Sequence, residues 1–352
     1  MDSKADRQDL DRSGNSGQPH SGKALPDWME QVADGIYCVD CDYVQPRLAC
    51  AYIMVNDQGR AAFVETNTSL AVDRLLEALE DIGLSRDSVD WIIPTHVHLD
   101  HAGGAGALLE RCSNATVLAH PRAARHLIDP ARLIESSMQV YGEELFKKLY
   151  GEIVPCDESK VRTMEDGASL SWSNRQFEFL HTRGHANHHF CIYEKTANGV
   201  FTGDSFGIGY PDLQKHGPFL FASSTPTDFD PAAAHESVDR ILNTGCNKVF
   251  LTHFGRFDDL GEARGQLHRS LDFLEQLLND SIESLGAGQA TSQTEEDSLK
   301  NRMLKFWTDQ LTGNGFESSE ALKERLKMDA SLNASGIVFA AGRALKKATR
   351  EG

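Results

Sequence analysis

The chemistry of this chain concentrates in Thr95-His96-Val97-His98-Leu99-Asp100-His101, where three imidazoles and one carboxylate fall within a few residues. Such a density of nitrogen and oxygen donors suits a metal site. His96 and His98 alternate, so an extended backbone sends both rings to one side, while a turn into a helix near Gly103-Gly104 lets Asp100 and His101 reach a neighbouring point. Three later residues extend the plan, each standing just past a predicted strand: His185, Asp204 and His253. Convergence at one sheet edge would place His96, His98 and His185 around one metal and Asp100, His101 and His253 around another. Asp204 would bridge them, and each metal would keep an open position for water or substrate. Read blandly these are ordinary core histidines, but their recurrence in order behind successive strands argues against that.

The elements that must position these residues can be read from the apolar pattern. Strands are expected at 36–38, 51–55, 61–64, 91–94, 116–119, 177–180, 200–202 and 249–251, which ends just before His253. Leu75, Leu76, Leu79 and Ile82 mark a helix with Thr68 or Ser69 as its cap and Gly83 as its stop, and Asp230-Pro231 opens another that Gly245 closes. Short apolar runs alternating with helices indicate an α/β protein with its site at the strand ends. Two segments stand apart and could wall a pocket: a helical insertion at 132–150, and a long aromatic loop at 206–229. In the loop, Phe206, Tyr210, Phe219 and Phe221 are expected to build an apolar pocket beside Asp204, with His216 as its polar candidate. The histidines at 20, 120, 126, 181, 235 and 268 read as surface or core residues.

The sequence divides into a polar tail (1–26), a catalytic domain (27–284), a linker (285–297) and a C-terminal extension (298–352) with three expected helices, read as packing or dimerisation elements. The tail is Gly/Ser-rich without an apolar stretch, so it reads as disordered and not as a signal peptide. No run reaches the length of a membrane span, so no membrane partner is expected. A formal net charge of −17 disfavours nucleic acid, whose binding relies on Lys and Arg neutralising phosphates. Seven scattered cysteines, with one isolated CxxC at Cys38 and Cys41, suit reduced thiols and a cytoplasmic location.

The ordered set His96, His98, Asp100, His101, His185, Asp204 and His253 resembles the signature of the metallo-β-lactamase superfamily, in particular its glyoxalase II-like branch, over about residues 34–278. The resemblance implies an αββα sandwich of two mixed β-sheets flanked by helices, with two divalent metal ions, zinc by default and iron or manganese as alternatives. It also implies hydrolysis of a small ester, thioester or lactone by a metal-bridging hydroxide, with Asp100 and Asp204 as catalytic carboxylates. The chain departs from the family pattern at Glu65-Thr66-Asn67, where relatives read Asp-Thr-Gly, and at Arg183-Gly184-His185, where they read Pro-Gly-His. His189 is expected to support the ligands from behind, and the glutathione-binding residues of true glyoxalase II are not recognisable. Two other readings share the same ligands: a mononuclear iron enzyme resembling persulfide dioxygenases, and a metal-holding sensor without turnover.

Overall fold

The computed structural model describes residues 24–224 and 228–351; most of the polar tail expected at 1–26 lies outside the described residues. Its first half forms β1 (Met29–Ala33), β2 (Ile36–Asp40), β3 (Cys50–Val55), β4 (Ala61–Val64), β5 (Val89–Ile93), β6 (Thr116–Ala119) and β7 (Val161–Thr163). Between these strands lie α1 (Val72–Asp81), α2 (Leu99–Ala102), α3 (Ala105–Arg111), α4 (Pro121–Ile128), α5 (Ala131–Tyr141) and α6 (Glu143–Tyr150). The second half contributes β8 (Ser169–Trp172), β9 (Arg175–His181), β10 (Phe190–Glu194), β11 (Gly199–Gly203), β12 (Lys248–Leu251) and β13 (Gly255–Phe257). Its helices are α7 (Pro231–Leu242), α8 (Leu260–Gly286), α9 (Ser292–Gly313) and α10 (Glu320–Glu351).

Strands β1 to β7 form one sheet in sequence order, and the second sheet runs β13-β12-β11-β10-β9-β8. Both are mixed: β4, β5, β6 and β7 pair in parallel, as do β11 and β12, whereas the remaining neighbours are antiparallel. Side chains alternate across each strand. In β3, Cys50, Tyr52 and Met54 face the second sheet, while Ala51, Ile53 and Val55 face the outer helices. In β12, Phe250 turns inward and Val249 and Leu251 turn outward. Because helices cover both outer faces, such strands are apolar on both sides. The result is the expected αββα sandwich, its inner layer centred on Tyr52, Phe179, Phe190, Phe201 and Phe250.

Local signals held at some ends and failed at others. Asp230 caps α7 by accepting from the Ala233 amide, with Pro231 following it. Helix α1 lacks a side-chain cap, because a 3-10 turn at Ser69–Ala71 puts Ala71 at its N-cap, and the Ser69 hydroxyl donates to the Tyr150 carbonyl. The last two expected C-terminal helices are one continuous α10, and α9 begins at Ser292 under a Thr291–Thr294 capping box, which leaves a connection of 287–291. Helices α9 and α10 complete the outer core of the second sheet, with Trp307, Leu311, Leu326 and Ile337 buried against it.

Candidate metal centre

Each of the seven sequence-derived ligands sits on a segment leaving the end of a strand. The loop after β5 carries His96 and His98, the first turn of α2 carries Asp100 and His101, and His185, Asp204 and His253 follow β9, β11 and β12. The structure brings all seven together. Nε2 of His96 lies 2.7 Å from Nδ1 of His98, which lies 2.9 Å from Nε2 of His185. On the other side, Nε2 of His253 is 3.5 Å from Oδ2 of Asp100, and Nε2 of His101 is 3.9 Å from the same oxygen. Asp204 spans the two groups, with Oδ2 3.4 Å from His185 Nε2 and Oδ1 3.3 Å from His101 Nε2.

Imidazoles packed nitrogen to nitrogen cannot all hydrogen-bond one another, since a neutral ring has one donor and one acceptor. Nε2 of His101 and Oδ1 of Asp204 are buried without a well-formed hydrogen bond, an arrangement that costs free energy unless a ligand satisfies it. The donor set His96, His98 and His185 and the set Asp100, His101 and His253 each fit a divalent cation. Glu65, His96 and His101 also approach one another, but Glu65 meets His101 through Nδ1, the far side of the ring from Asp204. Glu65 therefore orients a ligand.

That orientation is built in detail. Glu65 Oε1 accepts from His101 Nδ1 at 2.9 Å, from the Thr95 hydroxyl at 2.6 Å and from the Thr252 hydroxyl at 3.0 Å, and Oε2 accepts from the Thr95 amide at 3.0 Å. His253 Nδ1 donates to the Leu48 carbonyl at 2.8 Å. Fixing Nδ1–H on both rings leaves Nε2 bare for a metal. The Asn67 side-chain amide donates to the Asp100 carbonyl and the Thr66 amide to the His101 carbonyl, so the 65–67 segment grips the ligand turn. Glu65 and Asn67 both have left-handed φ, 65° and 52°, and Asn tolerates that region better than most non-glycine residues.

His189 lies buried beside Asp204. Its Nε2 accepts from the Asp204 amide at 3.3 Å, and its Nδ1 lies 2.9 Å from the Thr182 hydroxyl and 3.2 Å from that of Ser205. Gly203 is required beside it, because a Cβ there would stand 2.4 Å from His189 Nε2 and 2.5 Å from Thr95 Oγ1.

Electrostatics divide the cluster. Burial first, and then the surrounding imidazoles, hold His96 and His98 well below the usual histidine range, so both are neutral and able to bind metal. Burial alone would raise Asp204, but the fields of His101, His185 and His253 outweigh it and keep the carboxylate ionised. His253 is opposed by burial in the same way, yet Asp204 and Asp100 push it up to about 9. Two carboxylates thus attract protons when no cation is present, and metal binding there displaces them.

The aromatic residues of the long loop lie elsewhere than beside the ligands. Phe206, Tyr210, Phe219 and Phe221 are all at most 2% exposed and pack under α9 and α10, with the Phe221 ring 4.6 Å from that of Trp307. The Tyr210 hydroxyl donates to Asp329 on α10 at 2.9 Å, and His216 packs its ring on Phe316 at 4.8 Å. These residues support the centre indirectly, because the Gly209 amide between them donates to the His253 carbonyl. Tyr43, Tyr141 and Tyr150 form a ring cluster within the field of Asp100, the Tyr43 and Tyr141 rings 6.3 Å and 5.7 Å from that of Tyr150. Tyr141 and Tyr150 belong to the insertion already singled out, whereas Tyr43 carries no sequence signal.

The sequence profile of the Metallo-beta-lactamase superfamily matches residues 46–253. The chain is 26% identical over 226 residues to the Metallo-beta-lactamase fold-containing protein ST1585 of Sulfurisphaera tokodaii, covering 63% of this chain and 78% of that relative. It is also 26% identical over 158 residues to an uncharacterized protein of Aquifex aeolicus, covering 44% of this chain and 64% of that relative. Among solved structures, the archaeal ST1585 protein superposes with a TM-score of 0.58 at 20% identity, covering 86% of this chain and 98% of that one. The metallo-beta-lactamase family protein TTHA1429 of Thermus thermophilus superposes with a TM-score of 0.56 at 20% identity, covering 90% and 94%. The matched profile spans every ligand position from His96 to His253, and with it the chain belongs to the metallo-beta-lactamase superfamily.

Proposed function

We propose that this chain is a hydrolase that cleaves a small ester, thioester or lactone with two divalent cations, and that its motif places it nearest the glyoxalase II-like branch. The observation that carries the proposal is Asp204, whose two carboxylate oxygens face two separate donor groups, Oδ2 toward His185 and Oδ1 toward His101 and His253. When bound, a cation pair supplies Lewis-acid charge to a substrate oxygen and a nucleophile drawn from water at neutral pH. His96, His98 and His185 would hold one ion, Asp100, His101 and His253 the other, with Asp204 shared. Zinc is the expected metal by resemblance, although the same donors accept iron or manganese.

The chain's own groups divide the remaining work. Asp100 is the more open carboxylate, its side chain 25% exposed against 7% for Asp204. Burial works against its charge, but His101 and His253 hold it far below the usual carboxylate range, so it stays ionised and would supply negative charge to a cation and not a base at neutral pH. Glu65 and the Leu48 carbonyl fix two ligand rings so that nothing reorganises during the reaction. The products are an acid and an alcohol or thiol.

The test is metal content per chain by mass spectrometry, with activity on thioesters, lactones and phosphodiesters, for the wild type and Asp204→Ala. About two zinc ions with acyl turnover, both lost in the variant, support the proposal. Retention of both by the variant would overturn it, as would activity confined to phosphodiesters. A single iron with oxygen consumption selects the dioxygenase-like reading, and metal without turnover the sensor.

A further inference from the structure

The long aromatic loop is anchored at both ends by a single turn of the last helix. Asp329 and Asn333 stand four residues apart on α10, so they lie on one face, and they are only 3% and 1% exposed. Asp329 accepts from the Tyr210 hydroxyl at one end of the loop. At the other end, Asn333 Oδ1 accepts from the Ser224 amide at 2.6 Å and from the Ser224 hydroxyl at 2.9 Å. The Asn333 side-chain amide donates back to the Asp329 carbonyl at 2.8 Å, which fixes which of its atoms faces the loop. Between the anchors, Ile208 and Phe221 pair across the loop.

Each anchored end reaches a different donor group. The Gly209 amide, beside Tyr210, donates to the His253 carbonyl. Ser223, beside Ser224, lines a small cavity with His185 and Asp204. His185 turns Nε2 toward His98 and Asp204, while its Nδ1 is buried without a well-formed hydrogen bond. Burial first of all holds this ring below the usual histidine range; Asp204, Asp100 and then the Ser223 backbone carbonyl oppose it, the last as an acceptor close to Nδ1. A cation on Nε2 leaves the ring's one proton on Nδ1, where it needs an acceptor. His101 has Glu65 for this and His253 the Leu48 carbonyl; for His185 the Ser223 carbonyl holds that place.

The Ser223 carbonyl and the Ser224 amide belong to one trans peptide unit, which is planar, with its C=O and N–H pointing in opposite directions. A side chain that holds the Ser224 N–H therefore aims the Ser223 oxygen. We infer that Asn333 is a positioning residue for His185: it holds the Ser224 amide, aims the Ser223 carbonyl at Nδ1 and so presents Nε2 to a cation. The C-terminal helix, which lies beyond the matched span of 46–253, thereby becomes a working part of the metal centre. The inference rests on the cation-binding part of the function proposed above and is independent of which substrate is cleaved.

The experiment uses the full-length protein loaded with zinc and three readouts: the His185 Nδ1–H signal by NMR, chelator competition for each ion, and turnover of thioesters and lactones. In the wild type that proton should exchange slowly with solvent and show coupling to the Ser223 carbonyl. Asn333→Ala should speed its exchange and weaken the ion held by His96, His98 and His185 by about 10–100-fold, leaving the other ion nearly unchanged. Ser224→Ala removes a hydroxyl but keeps the amide that Asn333 holds, so both ions should stay near wild-type affinity. Tyr210→Phe frees the opposite anchor and should weaken the His253 ion instead, which a general loosening of the loop would not do. A wild-type Nδ1–H that exchanges freely overturns the inference even where Asn333→Ala does not fold. Equal weakening of both ions, or of neither, in a folded Asn333→Ala also overturns it. Zinc binding with the expected shifts but no turnover leaves the positioning role standing and removes the hydrolase reading, whereas turnover with both readouts unmoved in Asn333→Ala does the reverse. No zinc bound overturns both.

Discussion

Replacing Glu65 by Gln isolates the part of the centre that no metal ligand supplies. Glu65 is 1% exposed and accepts four hydrogen bonds, three at Oε1 and one at Oε2. An amide keeps one acceptor oxygen and turns the other into a donor. Its least costly placement keeps oxygen toward His101, Thr95 Oγ1 and Thr252 and points the new N–H toward the Thr95 amide, which leaves two buried donors facing each other at about 1–3 kcal/mol each. The loss of charge behind His101 also weakens that ring as a ligand, for which a further 10–100-fold in metal affinity, about 1.4–2.7 kcal/mol, is the expected order. The effect should be uneven, because Glu65 contacts His101 and not His185. Competition with a chromogenic chelator should show one ion leaving earlier than in the wild type while the second keeps its affinity, and urea unfolding should show the stability loss. Glu65→Asp, which restores a carboxylate, should recover part of both. Equal weakening of the two ions, or none, would refute the assignment of Glu65 to His101.

Two further outcomes follow from the C-terminal helices. Trp307, 1% exposed and packed at a tilt against Phe221, should cost about 3–5 kcal/mol as Trp307→Ala; because the Gly209 amide from the same loop holds His253, chelator competition should also show weaker metal binding. Asp329 is pushed up to about 6, first by burial and against the pull of its Tyr210 hydrogen bond. A folded value above the unfolded one means that the native state binds the extra proton, so wild-type stability falls as pH rises from about 4 to about 6. In the metal-free protein Asp329→Asn should match the wild type near pH 4 and exceed it by about 2–3 kcal/mol at neutral pH; a difference independent of pH in urea unfolding would contradict this.

How much was legible depended on how local the signal was. The ligands were readable because each stands at the end of an apolar run and four of them fall within six residues of one another. The aromatic loop was not. Phe206, Tyr210, Phe219 and Phe221 look the same in sequence whether they wall a pocket or lie beneath α9 and α10, and only the docking of helices about a hundred residues later decides between them. Continuous α10 was likewise hidden, since Gly336 and the polar residues around it resemble a break until Asn333 is seen bonding Ser224 across the core. Glu65 stood out as a departure from the family pattern, but its partners at positions 95, 101 and 252 follow only from the sheet pairing.

The bridging arrangement has a consequence for how the chain holds together. Four ligands come from the half that builds the first sheet and three from the half that builds the second, so any ion held jointly by His98 and His185 ties together points 87 residues apart. Such a clip acts as a reversible cross-link: it shortens the free path of the unfolded chain and adds to the packing that already joins the two layers. Stripping the metal should therefore do more than silence a site; it should loosen the ligand-bearing edge of the sandwich while the shared aromatic layer still holds the two sheets together.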